Sequence, residues 1–153
     1  MEKLGPIEVL EEVLAEHEVL RSMLLRVEVL SRSVLQGRYA ASDELKEQVR
    51  ELGNRFNQHL DREERVLVPA LLDADAWGPE RVERMHEEHA RQREIMTEMW
   101  NRGSGGSPNI LVFALIAWGF VRMLREDMAE EERISLNPRV LSEDVVTTSV
   151  EPE

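Results

Sequence analysis

The chain has 153 residues, 42% of them hydrophobic and 33% charged, which suits one folded, strongly solvated helical domain with its own core. The net charge of −12 disfavours nucleic acids and anionic membranes as partners, because both bind to basic surfaces. Since the chain contains no cysteine, disulfides, thiolate zinc sites and cysteine-held iron–sulfur clusters are excluded.

The sequence shows no segment that would target it to a membrane. The N-terminal stretch MEKLGPIEVLEEV is acidic and lacks the apolar region of a signal peptide. The most apolar run, ILVFALIAWGFV at 110–121, suits a buried helix and is too short to span a bilayer. We therefore expect a cytoplasmic protein without a membrane partner.

Prolines, glycines and short polar stretches divide the chain into four predicted helices, at about 6–35, 43–72, 79–101 and 108–136. Pro6 and Pro79 stand where first helical residues are expected. Ser42 or Asp43 is the predicted N-cap of the second helix, and Pro69 is expected to distort its last turn.

Four helices of this length joined by short breaks predict an all-α fold, an up-down-up-down four-helix bundle over residues 1–138. Pro138 is expected to stop the fourth helix. The remaining segment, 139–153, is β-branched and acidic without a helical period, so we expect a mobile tail or a strap there.

Each predicted helix carries a stripe of residues at steps of three and four, which is typical of the side that faces the core of a bundle. In chain order the stripes are Leu10, Val13, His17, Leu20, Leu24 and Val27; Leu45, Val49, Leu52, Phe56, His59, Glu63, Val66 and Ala70; Val82, Met85, His89, Gln92, Met96 and Met99; and Phe113, Ala117, Phe120, Leu124, Asp127, Glu131 and Ile134. At one or two places each otherwise apolar stripe carries a side chain that binds metals.

The spacing of these polar residues predicts that they meet at one level of the bundle. His17 and His59 lie at nearly equal distances from the first break, and Glu63 and His89 lie at equal distances from the second. Because antiparallel helices rise equally on both sides of a turn, each pair should lie at one height. The third break is longer, so it permits the same level for Asp127 without requiring it.

Three imidazoles and three carboxylates at a buried level require charge compensation, because burying an unpaired carboxylate is costly. No lysine or arginine occupies the inward positions, so a pair of divalent or trivalent cations is the predicted counter-charge. Residues four apart share one helical face, so His59 can hold one cation while Glu63 bridges to a second. Asp127 and Glu131 repeat this arrangement. Nitrogen and oxygen donors without thiolate favour iron or manganese, with zinc as an alternative.

The four segments resemble the hemerythrin-like, or HHE cation-binding, family over nearly the whole predicted fold. The family pattern is a histidine on helix one, H-x-x-x-E on helix two, a histidine on helix three and H-x-x-x-E on helix four. LAEHEVLRSML supplies His17, and HLDREERVLVPAL supplies His59 and Glu63 with the E-E pair and following proline typical of the family. MHEEHARQREIM supplies His89, and DMAEEERISLNP supplies Glu131.

One position departs from the family pattern, because Asp127 stands where the family has its helix-four histidine. The expected site is harder and more anionic, which should favour the ferric state and lower the reduction potential. The ligand set thereby approaches that of carboxylate-rich bundles that reduce or activate O2 or peroxide. Glu126 and Glu130 have the same spacing, so Glu130 is an alternative ligand, and His86 lies near the edge of the inward face.

The resemblance implies two iron ions with a bridging oxo or hydroxo group from solvent, and a small-molecule ligand such as O2, peroxide or nitric oxide. The expected terminal ligands are His17, His59, His89 and Asp127, and the expected bridges are Glu63 and Glu131. Three other functions stay open: an enzyme with peroxidase-, catalase- or oxidase-like activity, a sensor of iron, oxygen or nitrosative stress, and a metal-free bundle used for association.

Overall fold

The computed structural model describes residues 5–104 and 109–137, which form a four-helix bundle. The helices are α1 (Pro6–Leu35), α2 (Ser42–Ala74), α3 (Gly78–Ser104) and α4 (Ile110–Ile134), with a turn of 3-10 helix at Tyr39–Ala41 between α1 and α2. No strand occurs within these two ranges. The predicted all-α bundle is therefore confirmed.

The first helix has the bounds that the sequence predicts. Pro6 is its first residue, where a missing amide hydrogen costs nothing and the fixed φ angle suits a helix. After Leu35 the chain reaches Gly37, whose φ of +91° lies in the left-handed region that favours glycine. This turn ends α1 and directs the chain back along the bundle.

The start of the second helix differs from the prediction. Neither Ser42 nor Asp43 is the N-cap, because both lie inside α2, and Ala41 precedes the helix without a side-chain hydrogen bond. The short 3-10 turn leads directly into the helix and makes a polar cap unnecessary. Pro69 lies inside α2, which continues past it to Ala74.

The second and third helices meet in a tight turn that requires a glycine. A Cβ atom on Gly78 would lie 2.3 Å from the carbonyl oxygen of Leu71, so any other residue would force the turn apart. Asp75 braces the turn, because its Oδ1 atom accepts hydrogen bonds from the amide of Trp77 at 2.8 Å and from Arg81 at 2.7 Å. The turn thereby fixes the height of α3 against α2.

Two apolar clusters fill the bundle and leave a polar level between them. The larger cluster includes Leu20, Leu52, Phe56, Met96, Phe120 and Leu124, and the smaller one consists of Val9, Val13, Leu67, Leu71, Met85 and Leu136. In α1, α2 and α3 the candidate ligands lie between residues of the two clusters, as His17 lies between Val13 and Leu20, and those of α4 lie between Leu124 and Leu136, which follows the helix. The candidate site is therefore enclosed by apolar layers above and below.

Along α2, the buried positions match the predicted stripe as far as Glu63 and then lie one residue later than predicted. Leu67 and Leu71 are fully buried, whereas Val66 and Ala70, the predicted core residues, are only partly buried. A strict alternation of three and four gives 3.5 residues per turn, while an α-helix has 3.6, so the buried face drifts along a helix of this length.

None of the helices within the described ranges is long and apolar enough to cross a membrane. The predicted tail at 139–153 lies outside the described residues, as does Pro138.

Candidate metal centre

Four side chains from three helices converge at the polar level. His17, His59, Glu63 and Glu131 each offer one ligand atom, and these atoms all lie within 4.8 Å of one another. Nε2 of His17 lies 3.1 Å from Oε1 of Glu131. The first three side chains are almost completely buried, while Glu131 keeps 15% exposure.

The carboxylate of Glu63 is the centre of the cluster and divides the imidazoles between its two oxygens. Oε1 lies 2.6 Å from Nε2 of His59 and 3.3 Å from Nε2 of His17. Oε2 lies 3.0 Å from Nε2 of His89, which reaches the cluster from α3. All three histidines therefore direct the same ring nitrogen toward this one carboxylate.

The opposite ring nitrogen of each histidine is held by a second carboxylate. Nδ1 of His17 donates a hydrogen bond to Glu132 at 2.7 Å, and Nδ1 of His59 donates one to Glu16 at 2.8 Å. Nδ1 of His89 donates one to Glu64 at 3.0 Å. A carboxylate on Nδ1 orients the ring and makes Nε2 a better donor to a metal, an arrangement common to metal-binding histidines. The sequence prediction did not assign these three glutamates.

Two of these outer carboxylates are themselves paired with arginines. Nη2 of Arg21 lies 2.8 and 2.6 Å from the two carboxylate oxygens of Glu132, and Nη1 of Arg93 lies 2.9 Å from Oε1 of Glu64. Burial alone would raise the pKa of both glutamates, but the hydrogen bonds from the arginines and histidines outweigh it and lower both values. Glu64 and Glu132 thus remain ionised while they orient the rings.

Asp127 lies on the wall of the same cavity but outside the four-residue group. Its Oδ2 atom accepts hydrogen bonds from Arg91 at 3.0 Å and from Gln92 at 2.9 Å, both on α3. The expectation that no arginine pairs with the inward carboxylates is therefore wrong for Asp127, because the long side chain of Arg91 reaches it from the neighbouring helix. Neither contact uses Oδ1. Its assignment as a ligand stays a prediction.

The alternative ligand Glu130 and its neighbours in the prediction, His86 and Glu126, do not line the cavity that holds the cluster. His86 is 53% exposed, and its Nδ1 atom lies 3.9 Å from Glu64, outside hydrogen-bonding distance. Glu126 and Glu130 are exposed on α4. The inward face of α4 instead presents Asp127 and Glu131, as the helical register predicts.

Protons and hydrogen bonds balance the charges within the cluster. Burial alone would lower the pKa of His17, but hydrogen bonds to Glu131 and Glu63 raise it to about 10. His59 behaves in the same way, and its contacts with Glu16 and Glu63 raise its pKa to about 9. Both imidazoles are therefore protonated at neutral pH, before any cation binds.

The pKa values of the two inward glutamates, Glu63 and Glu131, shift in opposite directions in this environment. Burial alone would raise the pKa of Glu63, but the hydrogen bonds from the histidines hold it well below its ordinary range. Burial and the charge of Glu63 raise the pKa of Glu131 well above its ordinary range. One ionised and one protonated carboxyl thus share the site, which two cations would convert into a pair of ionised ligands.

The cavity at this level is small and combines donor atoms with apolar walls. Phe56, Leu60 and Met128 line it together with the histidines and carboxylates, and the ring of Phe56 lies 5.9 Å from that of His59. Buried nitrogen and oxygen donors that face one another, without thiolates, fit a pair of iron or manganese ions. The residues present therefore suit the cofactor that the sequence implies.

A four-helix bundle with histidine and carboxylate donors at its centre is the arrangement of a cation-binding helical domain. The sequence model described as the hemerythrin HHE cation binding domain matches residues 8–136, so the chain belongs to this family. Comparison with curated proteins gave no match, and comparison with solved structures gave none either.

Proposed function

We propose that the chain is a non-haem di-iron protein that binds or reacts with O2, peroxide or nitric oxide inside the bundle. The proposed ligands are His17 and His59 for one ion, His89 and Asp127 for the other, and Glu63 and Glu131 as bridges. Nitrogen and oxygen donors favour iron, and manganese or zinc would be accepted by the same set.

The observation that carries this proposal is the position of the two carboxylate oxygens of Glu63. Oε1 faces His59 and His17, whereas Oε2 faces His89. A carboxylate placed between two separate sets of imidazoles is suited to bridging two cations, one at each oxygen. When bound, such a pair of iron ions supplies open coordination positions and electrons to O2, peroxide or nitric oxide.

The surrounding side chains support a reactive rather than a purely structural centre. The outer carboxylates orient the imidazole rings, and Phe56 and Met128 limit the water that reaches the donors. Asp127 and Glu131 retain 13% and 15% exposure, whereas Glu63 retains 1%. Small molecules would therefore reach the site from the side of α4, past Asp127 and Glu131.

The proposal is tested by metal analysis of protein purified without chelators, followed by anaerobic titration with Fe2+. We expect binding to saturate at two ions per chain, and the ferrous protein to change its visible spectrum when O2 or nitric oxide is added. Saturation at fewer than two ions per chain would overturn the dinuclear centre, and saturation below about one ion, with unchanged melting after chelation, would overturn cation binding altogether. Spectral changes that reverse on deoxygenation would identify carriage of O2.

Peroxide turnover is a second candidate function, and the carboxylate at position 127 favours it. An oxygen ligand in place of an imidazole makes the site more anionic, which stabilises higher oxidation states. Turnover of peroxide by iron-loaded protein, absent from the chelated protein, would support this activity. Reversible O2 binding without turnover would exclude it in favour of carriage.

A further inference from the structure

Gln92 is a buried polar residue of the cavity that the family pattern leaves without a role. It is 4% exposed and lies on α3, three residues after His89, so both side chains occupy one face of the helix. It lines the same cavity as the proposed ligands. Its amide therefore lies among the donor atoms of the centre.

The orientation of the Gln92 amide is fixed by its contact with Asp127. Nε2 donates to Oδ2 of Asp127 at 2.9 Å, and a reversed amide would place its oxygen against that carboxylate. The amide oxygen Oε1 is consequently directed elsewhere, and within the part of the chain that the structure describes it is buried without a hydrogen-bond partner. Buried oxygens without partners are uncommon and costly, so a native one calls for a partner such as a water molecule or a cation.

Ser31 provides a useful comparison. Among the described side chains, its hydroxyl oxygen is the other buried oxygen without a partner. It lies on α1 beside Leu30 and Val34, which belong to the larger apolar cluster. It is not a member of the histidine and carboxylate group found among the described residues. Gln92 differs because its unpaired oxygen belongs to a cavity lined by histidines and carboxylates.

We propose that Oε1 of Gln92 is an additional oxygen ligand of the second cation, the one assigned to His89 and Asp127. This inference rests on the proposed dinuclear centre. Gln92 shares a helical face with His89 and a hydrogen bond with Asp127, so its oxygen belongs to that half of the site. A neutral amide adds a donor without adding negative charge to a site that already contains several carboxylates.

A consequence of this ligand is that the two cation positions differ in chemistry. The first is formed around the imidazoles of His17 and His59, which makes it rich in nitrogen. The second has one imidazole and otherwise oxygen donors, which suits a hard cation such as Mn2+. Loss of the amide oxygen should therefore weaken the second position selectively and leave the first one intact.

Titration of the metal-free protein with Mn2+ tests this assignment, with free Mn2+ counted by electron paramagnetic resonance. The full chain should bind two ions. Gln92→Leu keeps the volume and removes the oxygen, so it should bind one ion normally and the second at least about tenfold more weakly. Gln92→Glu supplies a carboxylate oxygen and should bind the second ion as tightly as the unaltered chain or more tightly.

The pair of variants separates ligation from indirect positioning. If Gln92 served only to orient Asp127, both variants would lose the second ion, because an ionised glutamate cannot donate a hydrogen bond to a carboxylate. That outcome, or unchanged binding of two ions by Gln92→Leu, overturns the assignment. Met96→Leu, on the buried face of α3 in the larger apolar cluster, is the control and should bind two ions. An unaltered chain that binds fewer than two ions overturns the dinuclear centre itself.

Discussion

Nε2 of His89 lies 3.0 Å from Oε2 of Glu63, the carboxylate oxygen that His17 and His59 do not contact. The contact joins α3 to a cluster whose other members come from α1, α2 and α4. Glu63 therefore belongs to both halves of the proposed centre. Its position makes it the residue whose loss should affect both cations.

Removal of Glu63 should abolish the dinuclear centre. In Glu63→Ala, both oxygens that face the imidazoles are lost, so we expect bound iron to fall from about two ions to one or fewer per chain. The matched control is Glu47→Ala on the exposed face of the same helix, where a carboxylate contributes little to stability or binding. Two ions retained by Glu63→Ala, measured by elemental analysis, would contradict the bridging role.

The stability of the chelated protein should fall as the pH rises above neutrality. In the unfolded chain His17 and His59 lose their protons near pH 6.5, whereas in the fold they retain them to about pH 10 and 9. Above pH 6.5 the unfolded state binds fewer protons than the folded state, so the free energy of unfolding decreases. The raised pKa of Glu131 acts in the same direction.

Urea denaturation of chelated protein between pH 3 and pH 10 measures this effect. We expect the highest midpoint below pH 6.5 and a loss of several kcal/mol by pH 10, since each unit of pKa shift corresponds to about 1.4 kcal/mol. Below about pH 4.5 stability should fall again, because Glu63 gains a proton in the unfolded chain while it stays ionised in the fold. His86→Ala changes an exposed histidine and should leave the profile unaltered.

Cation binding should release protons and become tighter as the pH rises. The imidazoles of His17 and His59 carry protons at neutral pH, and each must expose a nitrogen lone pair to bind a metal. We expect release of about two protons from these rings at pH 7, with a further contribution from Glu131. Calorimetric titration with Mn2+ in buffers of different ionisation enthalpy counts them. Binding that is independent of pH would show that these rings are not ligands.

Truncation of an outer carboxylate should weaken cation binding without changing the fold. Glu132→Ala removes the acceptor that orients His17, and such losses typically reduce metal affinity by about 10- to 100-fold. Glu132→Gln retains an acceptor and should lose less. Glu126→Ala on the exposed face of α4 is the control, and equal losses in the two alanine variants would remove the orienting role from Glu132.

Much of the bundle could be predicted from the sequence, because the limits and the inward face of each helix depend on residues that are close together in the chain. Pro6 and the turn at Gly37 fix the limits of α1, and the spacing of His59 and Glu63 places both on one helical face. The shift of register after Glu63 was missed because a repeat of 3.5 residues does not match the helical period over so long an element.

The outer carboxylates were harder to predict, although a signal is present in the sequence. Glu16 precedes His17, Glu64 follows Glu63, and Glu132 follows Glu131, so each stands directly beside an inward candidate ligand. When one helix is considered alone, such glutamates look like ordinary residues of its solvent-exposed face. Each contacts an imidazole of another helix, so the pairing depends on how neighbouring helices pack. The contact between Arg91 and Asp127 was missed for the same reason.

Asp127 provides the sharpest test of the second cation position. Its Oδ2 atom is engaged by Arg91 and Gln92, and Oδ1 is the oxygen that those contacts leave for a cation. Asp127→His supplies a neutral nitrogen donor in place of a charged oxygen. We expect the reduction potential of the iron-loaded protein to rise. Its visible spectrum should approach that of proteins of the family with histidine at this position.

Arg91→Ala separates the effect of ligation from that of surface charge. Arg91 is 52% exposed and is not a proposed ligand, so its loss should change the local charge near Asp127 without removing an atom that binds the cation. If Asp127 is a ligand, Asp127→Asn should weaken binding of the second cation by about tenfold or more, while Arg91→Ala should preserve or strengthen it, because a competing cation has been removed. Equal and small effects of both variants on Mn2+ affinity, with an unchanged spectrum in Asp127→His, would place Asp127 among the surface ion pairs instead.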